Sequence, residues 1–337
     1  MAKGAVPRGA LPTDAPKGAP KSAGGKGLVL VTGATGVLGS HVVRELVTHG
    51  WRVRAMTHRP DLPRARAIAG PRVEVVSADV RDPRALGRAV HGVDAIYLLE
   101  PWRLDGPDGA DGARTAGVAV ANAAAGAGVE HVVFSSLSGA GAPTGVAHLE
   151  RKRAVELHLR ALGLAATVLR PALLMERVVG YQGRPLLSLL YQSLRLAVPP
   201  EQRARHEPDP TESRPGSLLA PLVARVRSRY EHVPVQVVSA SDVATVARLA
   251  FETPERYVGL AIDLAGDELT APDIAQAYQD ITGRQAPGWV GRRDVRPPDG
   301  LAGLLDWVRE YGFEADIPTL RTKYPWLSTF PGWLLGA

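Results

Sequence analysis

From position 28 onward the chain carries short blocks of strand-forming residues: Leu28–Val31, Arg52–Thr57, Val73–Ser77, Val93–Leu99, His131–Ser135 and Ala166–Leu169. Between them run longer stretches with apolar residues at helical spacing: Ser40–His49, Pro83–Val90, an Ala-rich run ending near Ala127, and Leu149–Leu162. Strands that are apolar without alternation are covered on both faces, as in parallel sheets. The pattern therefore predicts an α/β fold, a doubly wound parallel sheet, over residues 27–170. Beyond Arg170–Pro171 the alternation fades into a smaller α/β region, 171–337. Within it, Leu186–Val198 and Leu218–Tyr230 are amphipathic and flank a proline-laden polar segment, which predicts a helical insertion over about 186–230. Val233–Val238, Asp242–Glu252, Ile262–Leu264 and Ala271–Gly283 then resume strand and helix, the last closed by glycine. Residues 1–26, rich in Ala, Pro, Gly and Lys, hold too little apolar surface for a core and read as a disordered tail.

Between the first strand and the first helix lies Val31-Thr-Gly-Ala-Thr-Gly-Val-Leu-Gly39. Gly33 permits a tight turn, Gly36 lets backbone approach a diphosphate, and Gly39 lets the helix pack on the strand. The free N–H groups of this turn, across Thr35, Gly36 and Leu38, then face the phosphates of a dinucleotide with the helix dipole behind them. The other reading of such a loop is a plain tight turn. Its setting, after a strand and opening a helix, argues for the dinucleotide. At the end of the second strand an acid would favour NAD(H) and a cation the 2′-phosphate of NADP(H). Here stand Thr57, His58 and Arg59, with no acid before Asp61. The expectation is NADP(H) in preference to NAD(H), held by Arg59 with His58; a solvated surface arginine is the alternative. Asp79 and Val80, after the third strand, are placed to meet the adenine, or Asp79 simply caps the next helix.

Composition narrows the picture. With no cysteine in the chain there are no disulfides, thiolate metal sites or cysteine nucleophile. The spacing of His, Asp and Glu suggests no metal. Net charge is +6, but residues 1–26 carry five cations against one acid, which leaves +2 for the rest. That is a weak footprint for nucleic acid, and DNA is not expected as a partner. No apolar run reaches the roughly 20 residues of a membrane span, and the N-terminus lacks an export signal, so the expected location is cytoplasmic.

TGATGVLG, VRAMTHRP, ADVRDP, VVFSSLSG, HLERKRAVELHLRALGLAATVLRPALLME and VVSASDVATVARLAFETPE together resemble the NmrA-like family, atypical relatives of the short-chain dehydrogenases and reductases. The resemblance covers most of residues 27–330 and departs at His58, where relatives usually carry arginine, and in the length of 186–230. The short-chain reductases to which that family is related use a Tyr-x-x-x-Lys pair on one helix face, where the lysine holds the nicotinamide ribose and the acid protonates the substrate. This chain has His148-x-x-x-Lys152 instead. Only six lysines occur among 40 basic residues, four of them in the tail. A lysine at 152, where the chain elsewhere uses arginine, suggests a task that a guanidinium cannot perform. A surface Lys152–Glu156 pair is the competing reading. His148 is the candidate proton donor, or a polar surface residue; Ser136 and Ser138 either orient a carbonyl or close a loop. Pro171–Met175 is expected as an apolar wall of the substrate site and 186–230 as a lid, or as core padding or a dimer contact. Trp307, Tyr311, Phe313, Trp326, Phe330 and Trp333 read as packing. The functional expectation is a reductase of a small apolar carbonyl, quinone or enone. The alternative is a non-catalytic redox sensor acting through a regulatory protein partner; a homodimer fits either.

Overall fold

The computed structural model describes residues 26–100, 109–179, 234–284 and 299–336. The expected tail up to residue 25 and the expected insertion at 186–230 lie outside the described residues. Seven parallel strands form the main sheet: β1 (Leu28–Val31), β2 (Arg52–Thr57), β3 (Val73–Ser77), β4 (Ala95–Leu99), β5 (His131–Ser135), β6 (Ala166–Pro171) and β9 (Ala261–Leu264). Their order, β3-β2-β1-β4-β5-β6-β9, reverses direction between β1 and β4. A doubly wound sheet opens its ligand crevice at such a switch point, outside the carboxyl ends of the strands.

Both faces are covered, as the unbroken apolar strands predicted. On one side α1 (Val37–Thr48) and α7 (Ala240–Glu252) pack against each other and over Val29, Val31, Val53, Ala55, Tyr97 and Val133. On the other, α3 (Pro83–Val90), α4 (Gly109–Ala127) and α5 (Ala147–Ala161) cover Leu30, Met56, Ile96, Leu98, Val132 and Phe134. Neighbouring residues of one strand thus enter opposite cores, the period-two geometry of an extended chain.

The region beyond Pro171 returns to the main sheet. β9 supplies its seventh strand and α7 covers one face, so the unit of 27–170 is completed by later segments. A second sheet is small: β7 (Leu173–Leu174) runs parallel to β8 (Val235–Val238), which pairs antiparallel with β10 (Asp267–Leu269). The other helices among the described residues are α2 (Pro63–Ile68), α6 (Met175–Val178), α8 (Pro254–Tyr257), α9 (Ala271–Thr282), α10 (Asp299–Tyr311), α11 (Ile317–Lys323) and α12 (Phe330–Gly336). As expected, α9 ends at Gly283 in the left-handed conformation, φ 66°. α10 packs on α5, and α9 on α12. Among the described residues no helix is long and apolar enough to cross a membrane, and no group of three potential ligands could hold a metal.

One buried hydroxyl holds the switch point in register. Thr32 Oγ1 donates to the Leu99 carbonyl at 2.8 Å and accepts from the Leu99 N–H at 2.7 Å, tying the tip of β1 to the tip of β4. Thr32→Val keeps the volume and strips both partners, which costs about 1–3 kcal/mol for buried polar groups left unpaired. Urea unfolding of the variant is expected to show that loss; an unchanged midpoint would mean the tips are held by other contacts.

Candidate functional site

The loop from Gly33 to Gly39 requires its glycines. Gly33 has φ 60°, and a Cβ there would also press on Leu99. A Cβ on Gly39 would lie 2.1 Å from the Gly33 carbonyl oxygen and 2.9 Å from the Ala34 Cα. The first turn of α1 therefore lies against bare backbone. Gly36 is the N-cap, its N–H donates to the Gly33 carbonyl at 3.0 Å, and no side chain caps the helix or places an acid in its first turn. A dinucleotide's phosphates fit this cradle, because the opening amides of α1 are left to whatever approaches the turn. Thr35 is half-buried within the loop, and Leu38 buries its side chain while its backbone belongs to the opening turn.

On the β2–β3 side, His58 and Arg59 are both exposed just past β2. Arg59 stands 3.5 Å from Asp61 in a loose surface pair. Asp79 is not the helix cap that one reading of the sequence allowed. Asp82 caps α3, accepting from the Arg84 N–H, whereas Asp79 accepts from the backbone and side chain of Arg81. Those bonds hold the Asp79 carboxyl at about 2, so it stays charged. Val80 is half-buried against the α3–α4 core.

At the carboxyl ends of β4 and β5 the structure brings together Lys152 and a residue the sequence reading missed, Glu100. Lys152 Nζ donates to the Ser135 carbonyl at 3.0 Å and stands 2.9 Å from Glu100 Oε2, with side-chain exposures of 6% and 1%. Its ammonium also lies 5.2 Å from the centre of the Phe134 ring. The surface Lys152–Glu156 pair does not form, because Glu156 turns instead to Arg170 and Ser136. An acid directly after an apolar strand, at the end where such folds bind ligands, was the available signal for Glu100.

His148 is buried on the first turn of α5, and its Nδ1 contacts an Arg151 guanidinium nitrogen. Arginine only donates, so Nδ1 accepts and the ring proton sits on Nε2. Burial, with the charges of Arg151 and Lys152, lowers its pKa to about 3. The ring is therefore neutral at neutral pH, in place of the ready proton donor anticipated. Ser136 does not present its hydroxyl to a substrate carbonyl: it donates to Glu156 Oε1, which also accepts from Arg170 Nε at 3.1 Å. Ser138 donates to Asp263 at 3.1 Å, on β9. Both serines thus fasten the loop after β5 to the core.

The expected apolar wall at Pro171–Met175 is also corrected. Leu173 and Leu174 pair with β8, and Met175 is fully buried in the core; only Leu174 is half-buried. Of the aromatics, Phe313 and Phe330 are core, while Tyr311 and Trp326 are exposed. Trp307 sits closer to the site than packing alone suggested: a Cβ on Gly139 would lie 2.5 Å from its ring, so the indole leans on the loop after β5.

A sequence model of the NmrA-like family matches residues 25–288. The chain belongs to the NmrA-like family. Among curated proteins, this NmrA-like chain is 28% identical to an NAD(P)H azoreductase of Xenophilus azovorans over 283 residues, covering 83% of this chain and 91% of that one. A ceramide reductase of Caulobacter vibrioides is 39% identical over 153 residues, a match that spans 43% of this chain and only 46% of that protein. Among solved structures, NmrA, a negative transcriptional regulator in complex with NADP, aligns with a TM-score of 0.63 at 16% identity, over 92% of this chain and 94% of that one. That likeness supports the fold.

Two buried histidines make acid stability a test of the site. His148 is held at about 3 and, by burial, His131 at about 4. The unfolded chain binds these protons near the ordinary value of 6.5, so the folded state takes up fewer. The stability concerned is intact above that pH and is lost as pH falls toward 4 and then 3. The Tm is expected to fall on acidification from about pH 7.5 to 4.5, less steeply in His148→Gln; a parent-like slope in that variant would clear the ring of the effect.

Proposed function

We propose that this NmrA-like protein is an NAD(P)H-dependent oxidoreductase that prefers NADP(H) and reduces an apolar carbonyl, quinone or enone. The observation that carries the reading is the pairing of a glycine cradle at the β1 tip with a buried lysine at the neighbouring tips of β4 and β5. The similarity to an NAD(P)H azoreductase over most of both chains supports it. The amides of Gly33, Thr35, Leu38 and Gly39 would hold the diphosphate where Gly36 lets it approach the turn, Asp79 and Val80 the adenine, and Lys152 the nicotinamide ribose. When bound, the reduced nicotinamide supplies a hydride.

The preference for NADP(H) is supported by Arg59 and His58, exposed just past the carboxyl end of β2 with no acid before Asp61. The chain's own residues then have three tasks. The α1 turn grips the diphosphate, Arg59 and His58 select the phosphorylated ribose, and Lys152 fixes the other ribose by charge-assisted bonds. His148, neutral and with its proton on Nε2, serves as a hydrogen-bond donor and not as an imidazolium acid.

That neutral ring in place of tyrosine also favours a second reading, a protein that binds the dinucleotide without turnover and reports its redox state to a partner. Calorimetry with both dinucleotides, followed by single-turnover oxidation of bound NADPH by a panel of quinones and enones, separates the two. NADPH is expected to bind more tightly than NADH, and Arg59→Ala to lose about tenfold in NADPH affinity, the worth of one charge-assisted bond. Tighter binding of NADH would reject the 2′-phosphate role. Lys152→Met is expected to weaken binding and abolish oxidation; full activity would remove the lysine from the mechanism, and binding with no oxidation by any acceptor would favour the sensor.

A further inference from the structure

We propose that Glu100 is a positioning residue: it holds the Lys152 ammonium by charge and aims it, and so sets how tightly the chain holds its dinucleotide. The inference rests on Lys152 being the ligand of the nicotinamide ribose and extends it to a residue outside any motif.

The surroundings of Lys152 are hostile to a positive charge. The side chain is almost fully buried and has lost its water. Arg151 is its neighbour on α5, a second cation on which the Glu100 charge also acts, and His148 beyond it is neutral. The Ser135 carbonyl accepts one N–H, and the Phe134 ring faces the ammonium. Glu156, four residues on, is committed to Arg170 and Ser136. Among the described residues Glu100 is the carboxylate within ion-pair distance of Nζ, at 2.9 Å. The contact lies off the hydrogen-bond direction, and neither Glu100 oxygen has a hydrogen-bond partner. What joins the two is charge, which is strong where water is excluded.

The place of the carboxylate is built into the fold. A Cβ on Gly117 would lie 2.6 Å from Glu100 Oε1 and 2.7 Å from a methyl of Val155. Helix α4 therefore closes over the Glu100 side chain with bare backbone, while the tip of β4 fixes its root beside the Thr32–Leu99 bonds. A buried ammonium deprived of this partner and left beside Arg151 favours its neutral form. A neutral amine donates weaker bonds to a ribose than an ammonium does.

Glu100→Gln keeps the shape and removes the charge. Calorimetry with NADPH across about pH 6 to 9 is expected to show weaker binding in this variant than in the parent, the gap widening as pH rises. A second readout needs no dinucleotide. The chain has six lysines, so the Nζ signals of ¹⁵N-lysine-labelled full-length protein are few, and that of Lys152 is identified by its loss in Lys152→Met. In Glu100→Gln this signal is expected to pass from ammonium to amine at a lower pH than in the parent. The same midpoint together with parent-like affinity at every pH overturns the proposal. If Lys152→Met binds NADPH as tightly as the parent, the ribose role fails, and the Nζ titration still decides whether Glu100 holds the lysine. Should Glu100→Gln not fold, Lys152→Met tests the pair from the other side. Its lone buried carboxylate favours the protonated form, so the Tm deficit against the parent is expected to shrink as pH drops from about 8 to 5. A deficit that does not change with pH overturns the pairing.

Discussion

The first turn of α1 lies on the Gly33 carbonyl with nothing between them, and the rest of the site depends on that contact. A single methyl on Gly39 would drive the helix off its strand. With it would go the first turn of α1, which no side chain caps, and the tip of β1, which Thr32 ties to the tip of β4. The order of the sheet places a reversal between those two strands, so the cradle, the hydroxyl link and the crevice share one corner. Bare backbone recurs wherever the corner must be close-packed: Gly117 over Glu100, Gly139 against Trp307, and Gly141 beside the Arg170 guanidinium. Each glycine gives up chain stiffness for an approach that a side chain would block.

Much of this was legible because it is governed by local pattern. Strands buried on both faces announce themselves by composition, and β1, β2, β3 and β5 run over the expected residues. The glycine loop reads from spacing, and Lys152 from the scarcity of lysine in an arginine-rich chain. What escaped depends on contacts across the chain. β7 and β10 are two and three residues long, too short for a period to show. β9 reads as a strand, but nothing local says that it joins β6, about ninety positions earlier. The side chains of Ser136 and Ser138 are short and polar in either role; only the positions of Glu156 and Asp263 show that they face inward. Pro171–Met175 is as apolar as a pocket wall, and equally as apolar as a core segment.

Glu100 is the sharpest case. In sequence it is one acid between an apolar strand and a loop, and its partner is 52 positions away. Its burial depends on a glycine in α4 and a valine in α5, neither of which carries chemistry of its own. Such a carboxylate becomes visible only when strand, helix and lysine are placed together. Burial of an acid and a base at one point is then tolerable because each supplies the other's missing solvent.

Lys152 and Glu156 occupy positions that would pair on an exposed helix, where such a contact contributes a few tenths of a kcal/mol. Here they part. Lys152 reaches the tips of β4 and β5 through Glu100 and the Ser135 carbonyl, while Glu156 reaches β6 through Arg170 and the β5 loop through Ser136. Arg170 continues toward Asp263 on β9, to which Ser138 also donates. Helix α5 is thereby fastened to four neighbouring strand tips by two separate sets of contacts, Lys152 with Glu100 and the Ser135 carbonyl, and Glu156 with Ser136 and, through Arg170, Asp263. The separation of Lys152 and Glu156 gives the lysine a carboxylate partner inside the protein and leaves His148, one turn earlier, held neutral by burial and by the charges of Arg151 and Lys152. The electrostatics of the site thus follow from how α5 is bolted to the sheet, and the buried His148 is accommodated within that same arrangement.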